Sequence, residues 1–214
     1  YDRDNNGDCN DTDPLTYPGA TERCDGEDND CQGDGEASGI VTLIDADNNA
    51  TDVTSLFTGT PFFPQSLNLG ADGSYNFCDG TYYVSLNILA NVELKGMSGT
   101  VSLDGGSTTR VIQATNAGSY TVNIENLTIQ NGSAQYGAGM HVSYGGGLTL
   151  RDVTFKDNTA YSGGAILSEY TDVILEGVTF EANSAEYFGG FYAVYGSVSA
   201  TETAFYANYG YSEG

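Results

Sequence analysis

The sequence has no tryptophan, one histidine, two methionines, four prolines and only six lysines and arginines among 214 residues. With His141 as its single imidazole, the chain cannot build a zinc or copper site from several histidines, nor a catalytic pair of them. Six bases against 29 acids leave a net charge of −23. Such a chain repels phosphate backbones and anionic membrane surfaces, so nucleic acid is excluded as a partner and a divalent cation is the first to consider. No apolar run approaches the roughly 18 residues of a membrane span, and no basic start with an apolar core marks a signal peptide. The start at Tyr1, without methionine, points to a processed or partial chain.

What is present suits a folded, turn-rich protein: 39% hydrophobic residues and 29 glycines. The four cysteines, Cys9, Cys24, Cys31 and Cys78, lie in or near the acidic start. An even number so placed favours two disulfides and an oxidising compartment. A zinc site is the alternative, but no C-x-x-C pair occurs. Three connectivities are open, and spacing does not choose among them. Three cysteines in the acidic segment leave one over, which predicts that Cys78 reaches back to that segment.

Three regions follow in order. Residues 1–36 form an acidic module with nine Asp, three Glu and two Arg, a net charge of −10. So little apolar content cannot offset chain entropy and self-repulsion, and the module needs metal, disulfides or both. Residues 37–80 hold short apolar runs broken by turn signals and read as an entry or capping region. Residues 81–214 show short alternating strands separated by Gly, Asn, Ser and Asp.

In the last part a repeat can be counted. Phe155, Phe180 and Phe205 are 25 residues apart, and so are Asn158, Asn183 and Asn208. Leu127-Thr-Ile129 precedes Val153-Thr-Phe155 by 26, and Gly163-Gly164-Ala-Ile166 aligns with Gly189-Gly190-Phe-Tyr192 at 26. A period near 25 without helical segments is too short for a propeller blade and lacks a leucine-rich consensus. It predicts an all-β fold, a right-handed parallel β-helix whose coils stack about 4.8 Å apart. Leu148, Leu150, Val153, Phe155, Ile166, Val173, Leu175, Val178, Phe180, Val198 and Phe205 should point inward. The asparagines should form an internal amide ladder. Tyr144, Tyr170 and Tyr195 recur as an aromatic column that either stiffens the coil or binds a sugar or partner.

The F-x-x-N-x-A…G-G-A-I pattern at Phe155–Ile166, with its variant at Phe180–Tyr192, resembles the repeats of chlamydial polymorphic outer-membrane proteins, over about residues 121–208. That resemblance implies a bacterial cell-surface β-helix and leaves its role open.

The start carries the clearest chemistry. Asp2, Asp4, Asn6, Asp8, Asn10 and Asp13 fall at positions 1, 3, 5, 7, 9 and 12 of a loop with Gly7 at position 6. Alternate short oxygen-bearing side chains converge on one hard cation while glycine permits the turn, which predicts calcium. Asp13 at the last position, where EF-hands carry glutamate, is similar to dockerin and thrombospondin type 3 loops. A second cluster, Asp25, Glu27, Asp28, Asp30 and Asp34, could complete this site or hold another ion. The stretch Asp8-Cys9…Asp13-Pro14…Tyr17-Pro18-Gly19-Ala20…Cys24-Asp25-Gly26…Asp28-Asn29-Asp30-Cys31 resembles the metal-binding motif named after MopE, found in large secreted bacterial proteins. The family label mentions copper. Oxygen donors without available imidazole or thiolate favour calcium.

A polysaccharide lyase or hydrolase on a β-helix would need a base beside clustered carboxylates. The coils offer Lys95, Arg110, Arg151 and Lys156. Arg151 and Lys156, with Asp152 and Asp157 beside them, read as salt-bridged turns, and His141 as an outward side chain without a role. No enzyme is expected. The sequence therefore predicts an extracellular structural or adhesive module, stabilised by calcium and able to self-associate through open β-helix ends, with a carbohydrate or cell-surface partner. A fragment of a polysaccharide-cleaving enzyme is the alternative.

Overall fold

The computed structural model describes residues 9, 10, 12–14, 16–20, 23, 24, 27–33, 39–97, 100–115 and 120–213. Three sheets wind into a β-solenoid of about five turns. The first sheet runs Ala50–Asp52, Val41–Ile44, Gly73–Phe77, Val92–Gly96, Thr121–Glu125, Gly147–Arg151, Val173–Glu176 and Val198–Thr201. Its first three strands pair antiparallel and the rest parallel. The second is continuous through the bent strand Gly80–Ile88, whose start pairs with Val101–Asp104 and whose end pairs with Ile112–Ala114 and Gln65–Leu69. One arm continues through Met140–Ser143, Ile166–Glu169 and Phe191–Val194, the other through Thr128–Gln130, Thr154–Lys156, Thr179–Glu181 and Ala204–Tyr206. The third sheet stacks Ser133–Tyr136, Thr159–Ser162, Ser184–Tyr187 and Tyr209–Glu213. Parallel pairing thus takes in residues 65–77, ahead of the boundary at 81 expected from the sequence.

Alternation along each strand sends every second side chain into a single core. Nine of the eleven expected inward residues are buried, from Leu148 to Phe180. The other two, Val198 and Phe205, keep the register, opposite Val173 and Phe180, yet are 43% and 56% exposed. They belong to the last described coil, and among the described residues no strand covers them. Phe155, Phe180 and Phe205 stack in one column with centroids 5.5 and 4.7 Å apart.

One expected alignment is corrected. Ile166 pairs with Phe191, and Leu167 with Tyr192, so this arm keeps a step of 25 residues, not the 26 read from the Gly-Gly pairs. A one-residue slip exchanges the two faces of a strand, and it would turn Tyr192 inward in place of Phe191. Phe191 instead packs on the core beside Phe180.

The outer corners are made by residues in the left-handed region, among them Tyr144, Tyr170 and Tyr195 at φ 56, 50 and 57°. Their rings stack at 4.7 and 4.8 Å, nearly parallel, as the predicted aromatic column. No described helix is long and apolar enough to cross a membrane.

Candidate functional site

Two disulfides organise the acidic module. Cys9–Cys31 closes the module on itself, and Cys24–Cys78 ties it to the end of strand Gly73–Phe77. Cys78 therefore reaches back as predicted. Around the second bridge the Cys24 N–H donates to Thr42 Oγ1 at 3.3 Å, and Asn76 Nδ2 donates to the Cys24 carbonyl at 3.5 Å. The module is thus anchored to the first sheet by hydrogen bonds between the Cys24 backbone and two side chains of the sheet as well as by sulfur.

Inside the module the fully buried Asn29 holds two segments together. Its Oδ1 accepts the Arg23 N–H at 2.8 Å, its Nδ2 donates to Thr16 Oγ1 at 3.3 Å, and its carbonyl accepts the Tyr17 N–H at 2.9 Å. With so few apolar residues, buried polar contacts of this kind take the place of a core.

Of the ten predicted ligands, Asp2, Asp4, Asn6, Asp8, Asp25 and Asp34 lie outside the described residues. The remaining four, Asn10, Asp13, Asp28 and Asp30, can be placed. Asn10 Nδ2 donates to Glu27 Oε2 at 3.2 Å, so the two acidic clusters meet. They share a cleft of about 290 Å3 lined by Cys9, Asn10, Thr16, Glu27 and Asp28. Asp28 Oδ2 accepts the Gly33 N–H at 2.7 Å, while Asp28 Oδ1 is buried and accepts no hydrogen bond among the described residues. The Asp13 carboxylate accepts Thr16 Oγ1 at 3.0 Å and lies 3.8 Å from Arg23 Nη2. Asp30 Oδ1 caps the Gln32 N–H at 3.0 Å. Among the described residues no three acidic, histidine or cysteine side chains converge closely enough to hold an ion.

Residues 8–36 match the family described as "Putative metal-binding motif", labelled Cu-binding MopE. This segment carries the MopE-type motif. No curated protein and no solved structure matches the chain. The chemistry of the motif here fits a hard cation: its three cysteines are consumed by disulfides, its available donors are carboxylate and amide oxygens, and Asp28, which lines the cleft, has a buried oxygen with no hydrogen-bond partner among the described residues. A buried carboxylate oxygen without a partner is destabilising unless something positive meets it.

Away from the MopE-type motif, three of the four bases of the coils, Lys95, Arg151 and Lys156, are paired with acids across coils. Arg151 Nε donates to Glu176 at 2.6 Å and Lys156 Nζ to Glu181 at 3.0 Å, each partner standing directly opposite on the next coil. The expected partners Asp152 and Asp157 instead occupy left-handed corners at φ 51 and 53°. Parallel pairing puts the counterpart one coil on about 4.8 Å away, whereas chain neighbours on a strand point to opposite faces.

His141 projects outward as expected but is not idle. Its ring is half-buried and Nε2 lies 2.9 Å from Glu169 Oε2. Burial holds its titration below the ordinary value, and the charge of Arg110 adds to this against the opposing pull of Glu169. The contact is therefore a neutral imidazole N–H donating to a carboxylate. The sequence offered Arg110 as a base but did not join it, Glu169 or Tyr192 to His141, because only the stacking of separate coils brings them near it.

Proposed function

We propose that this chain is a structural or adhesive module of the bacterial cell surface, with a calcium-bound MopE-type segment clamped onto a stiff β-solenoid. What carries the reading is the coupling of the two parts: the motif at 8–36 is joined to the coils by Cys24–Cys78. Calcium bound at the cleft of Asn10, Glu27 and Asp28, with oxygen ligands from the flanking acidic segment, would neutralise charge that the disulfides alone leave repelling. The disulfides suit an oxidising, extracellular setting. The solenoid supplies length and rigidity, because every coil is hydrogen-bonded to its neighbours. The proposed role is not catalytic; support comes from the pairing of Lys95, Arg151 and Lys156 with acids of the next coil, which leaves them engaged as structural links.

Thermal melts with excess calcium, with excess EGTA and with copper(II) test the metal. Calcium should raise the melting temperature and slow amide exchange across residues 8–36, because a ligand that binds only the folded state stabilises it by mass action. Equal melting and equal exchange in calcium and EGTA, or a larger rise with copper, would refute the calcium assignment.

A further inference from the structure

The outer face of the arm Met140–Ser143, Ile166–Glu169 and Phe191–Val194 carries a cleft of about 350 Å3. Its lining combines two tyrosines, Tyr136 and Tyr192, the hydrogen-bonded pair His141–Glu169, the hydroxyl of Ser162, and an apolar floor of Leu167 and Val194. His141 is the only histidine of the chain. Behind it Arg110 is fixed by the carbonyls of Tyr136, at 2.7 Å, and Gly137, at 3.0 Å, and by Gln113, the strand partner of His141. The guanidinium thus anchors the turn that carries Tyr136.

A cleft of this size lies at the lower end of the range usual for small-molecule sites, about 300–1,000 Å3, and its mixture of aromatic walls with a few convergent polar groups is characteristic of them. The rings differ from those of the stacked corner column. Tyr170 is sandwiched between Tyr144 and Tyr195, so both its faces are occupied by other rings. Among the described residues Tyr192 rests on one ring, that of Phe188, with centroids 4.1 Å apart, and lines the cleft. An aromatic face is electron-rich and attracts the polarised C–H groups of a flat apolar ligand surface. The polar groups add what such a ligand would need at its edge: Ser162 can donate or accept, while Glu169 and the second ring nitrogen of neutral His141 can only accept.

One ligand class has an apolar C–H face, an edge of hydroxyls that both donate and accept, and no charge for this protein to repel. We infer that the cleft of Tyr136, His141, Ser162, Glu169 and Tyr192 binds a neutral saccharide, with the sugar ring against Tyr192 and its hydroxyls on the His141–Glu169 pair and Ser162. Anionic saccharides are disfavoured by Glu169 in the lining and by the net charge of −23. This inference rests on the adhesive half of the proposed function and is independent of the metal.

The test is calorimetric titration of the full chain with cellohexaose, maltohexaose and chitohexaose, with polygalacturonate as the charged comparison, each in calcium and in EGTA. At least one neutral hexaose should bind, and Tyr192→Ala and Glu169→Gln should each weaken it by about tenfold or more. Thr149→Ala, on the outer face of the first sheet, should leave binding unchanged. Melting temperatures of every variant separate lost binding from lost fold, and chemical-shift mapping on the unmodified chain locates the sugar without any variant. Three results overturn the inference: no hexaose binds, only polygalacturonate binds, or mapped shifts fall outside the cleft. Loss of the calcium effect on melting with sugar binding intact would remove the metal reading and leave this one standing.

Discussion

Asn158 and Asn183 form one rung of an amide ladder through the buried corner of the solenoid: Asn158 Nδ2 donates to Asn183 Oδ1 at 2.9 Å and to the Ile129 carbonyl at 3.0 Å. Asn183 repeats the pattern toward Asn208, at 2.9 Å, and the Phe155 carbonyl, at 2.9 Å. The lower end is closed by the Gly132 N–H, which donates to Asn158 Oδ1 at 2.8 Å. A side chain on Gly132 would collide with the Ala138 carbonyl, so the coil that starts the ladder carries glycine close by.

Replacing the middle rung should be costly. Asn183→Ala leaves buried donors and acceptors unpaired on two coils, and an unsatisfied buried polar group costs about 1–3 kcal/mol. We expect a loss of about 2–4 kcal/mol in urea unfolding on the same basis. Asn183→Asp keeps the acceptors but loses both donors and adds a buried charge, so it should be no milder. A loss under about 1 kcal/mol would show that water replaces the ladder.

The corner tyrosines test strain against stacking. Tyr170 sits at φ 50° with rings on both faces. Tyr170→Gly relieves about 1–2 kcal/mol of left-handed strain and gives up a similar amount of stacking, so stability should change little. Tyr170→Val loses the stacking and is branched at a left-handed position, and it should be the less stable by more than about 1 kcal/mol. Equal melting of the two variants would contradict this account.

The Cys24–Cys78 clamp should matter to both parts of the molecule. Cys78→Ser opens a link between residues 54 apart. Removing such a bond typically costs about 2–5 kcal/mol. Peptide mapping under non-reducing conditions should recover Cys9–Cys31 intact in that variant, and calcium should stabilise it less than the parent chain.

Acid should destabilise the protein in two steps. The His141 titration is lowered on folding by burial, so the unfolded chain takes up a proton that the folded one resists, and stability falls as pH drops below the unfolded value near 6.5. The carboxylates Asp45, Asp52 and Asp172 are also lowered, by hydrogen bonds from Asn49, Thr54 and Ser197. Their contribution is present above the unfolded value of 3.8 and is lost as pH falls through the lower folded one. His141→Gln should abolish the first step in melts between pH 7 and 5 and leave the second.

The bridge of Arg151 with Glu176 should contribute little, since both groups are about half exposed. Arg151→Ala should shift stability by less than about 1 kcal/mol at moderate salt.

The sequence by itself determined the repeat of the later coils, because Phe155, Phe180 and Phe205 lie 25 apart and each must stack on the next. It also determined the MopE-type motif, read over residues 2–36 and matched over 8–36, and the number of disulfides. The earlier coils were harder to read: Gly73 pairs with Val92 and Val92 with Val122, steps of 19 and 30 residues with no common period. Only the tertiary structure decided which cysteines pair, which way the Gly-Gly strands register, and that Arg151 and Lys156 find acids a coil away. It alone assembled the cleft, whose residues from Tyr136 to Val194 span three coils. The physical reason is common to all of these. In a parallel solenoid the nearest neighbour of a side chain is about 25 residues distant in sequence and under 5 Å distant in space, so periodicity reveals the stack, while folding alone reveals what faces what.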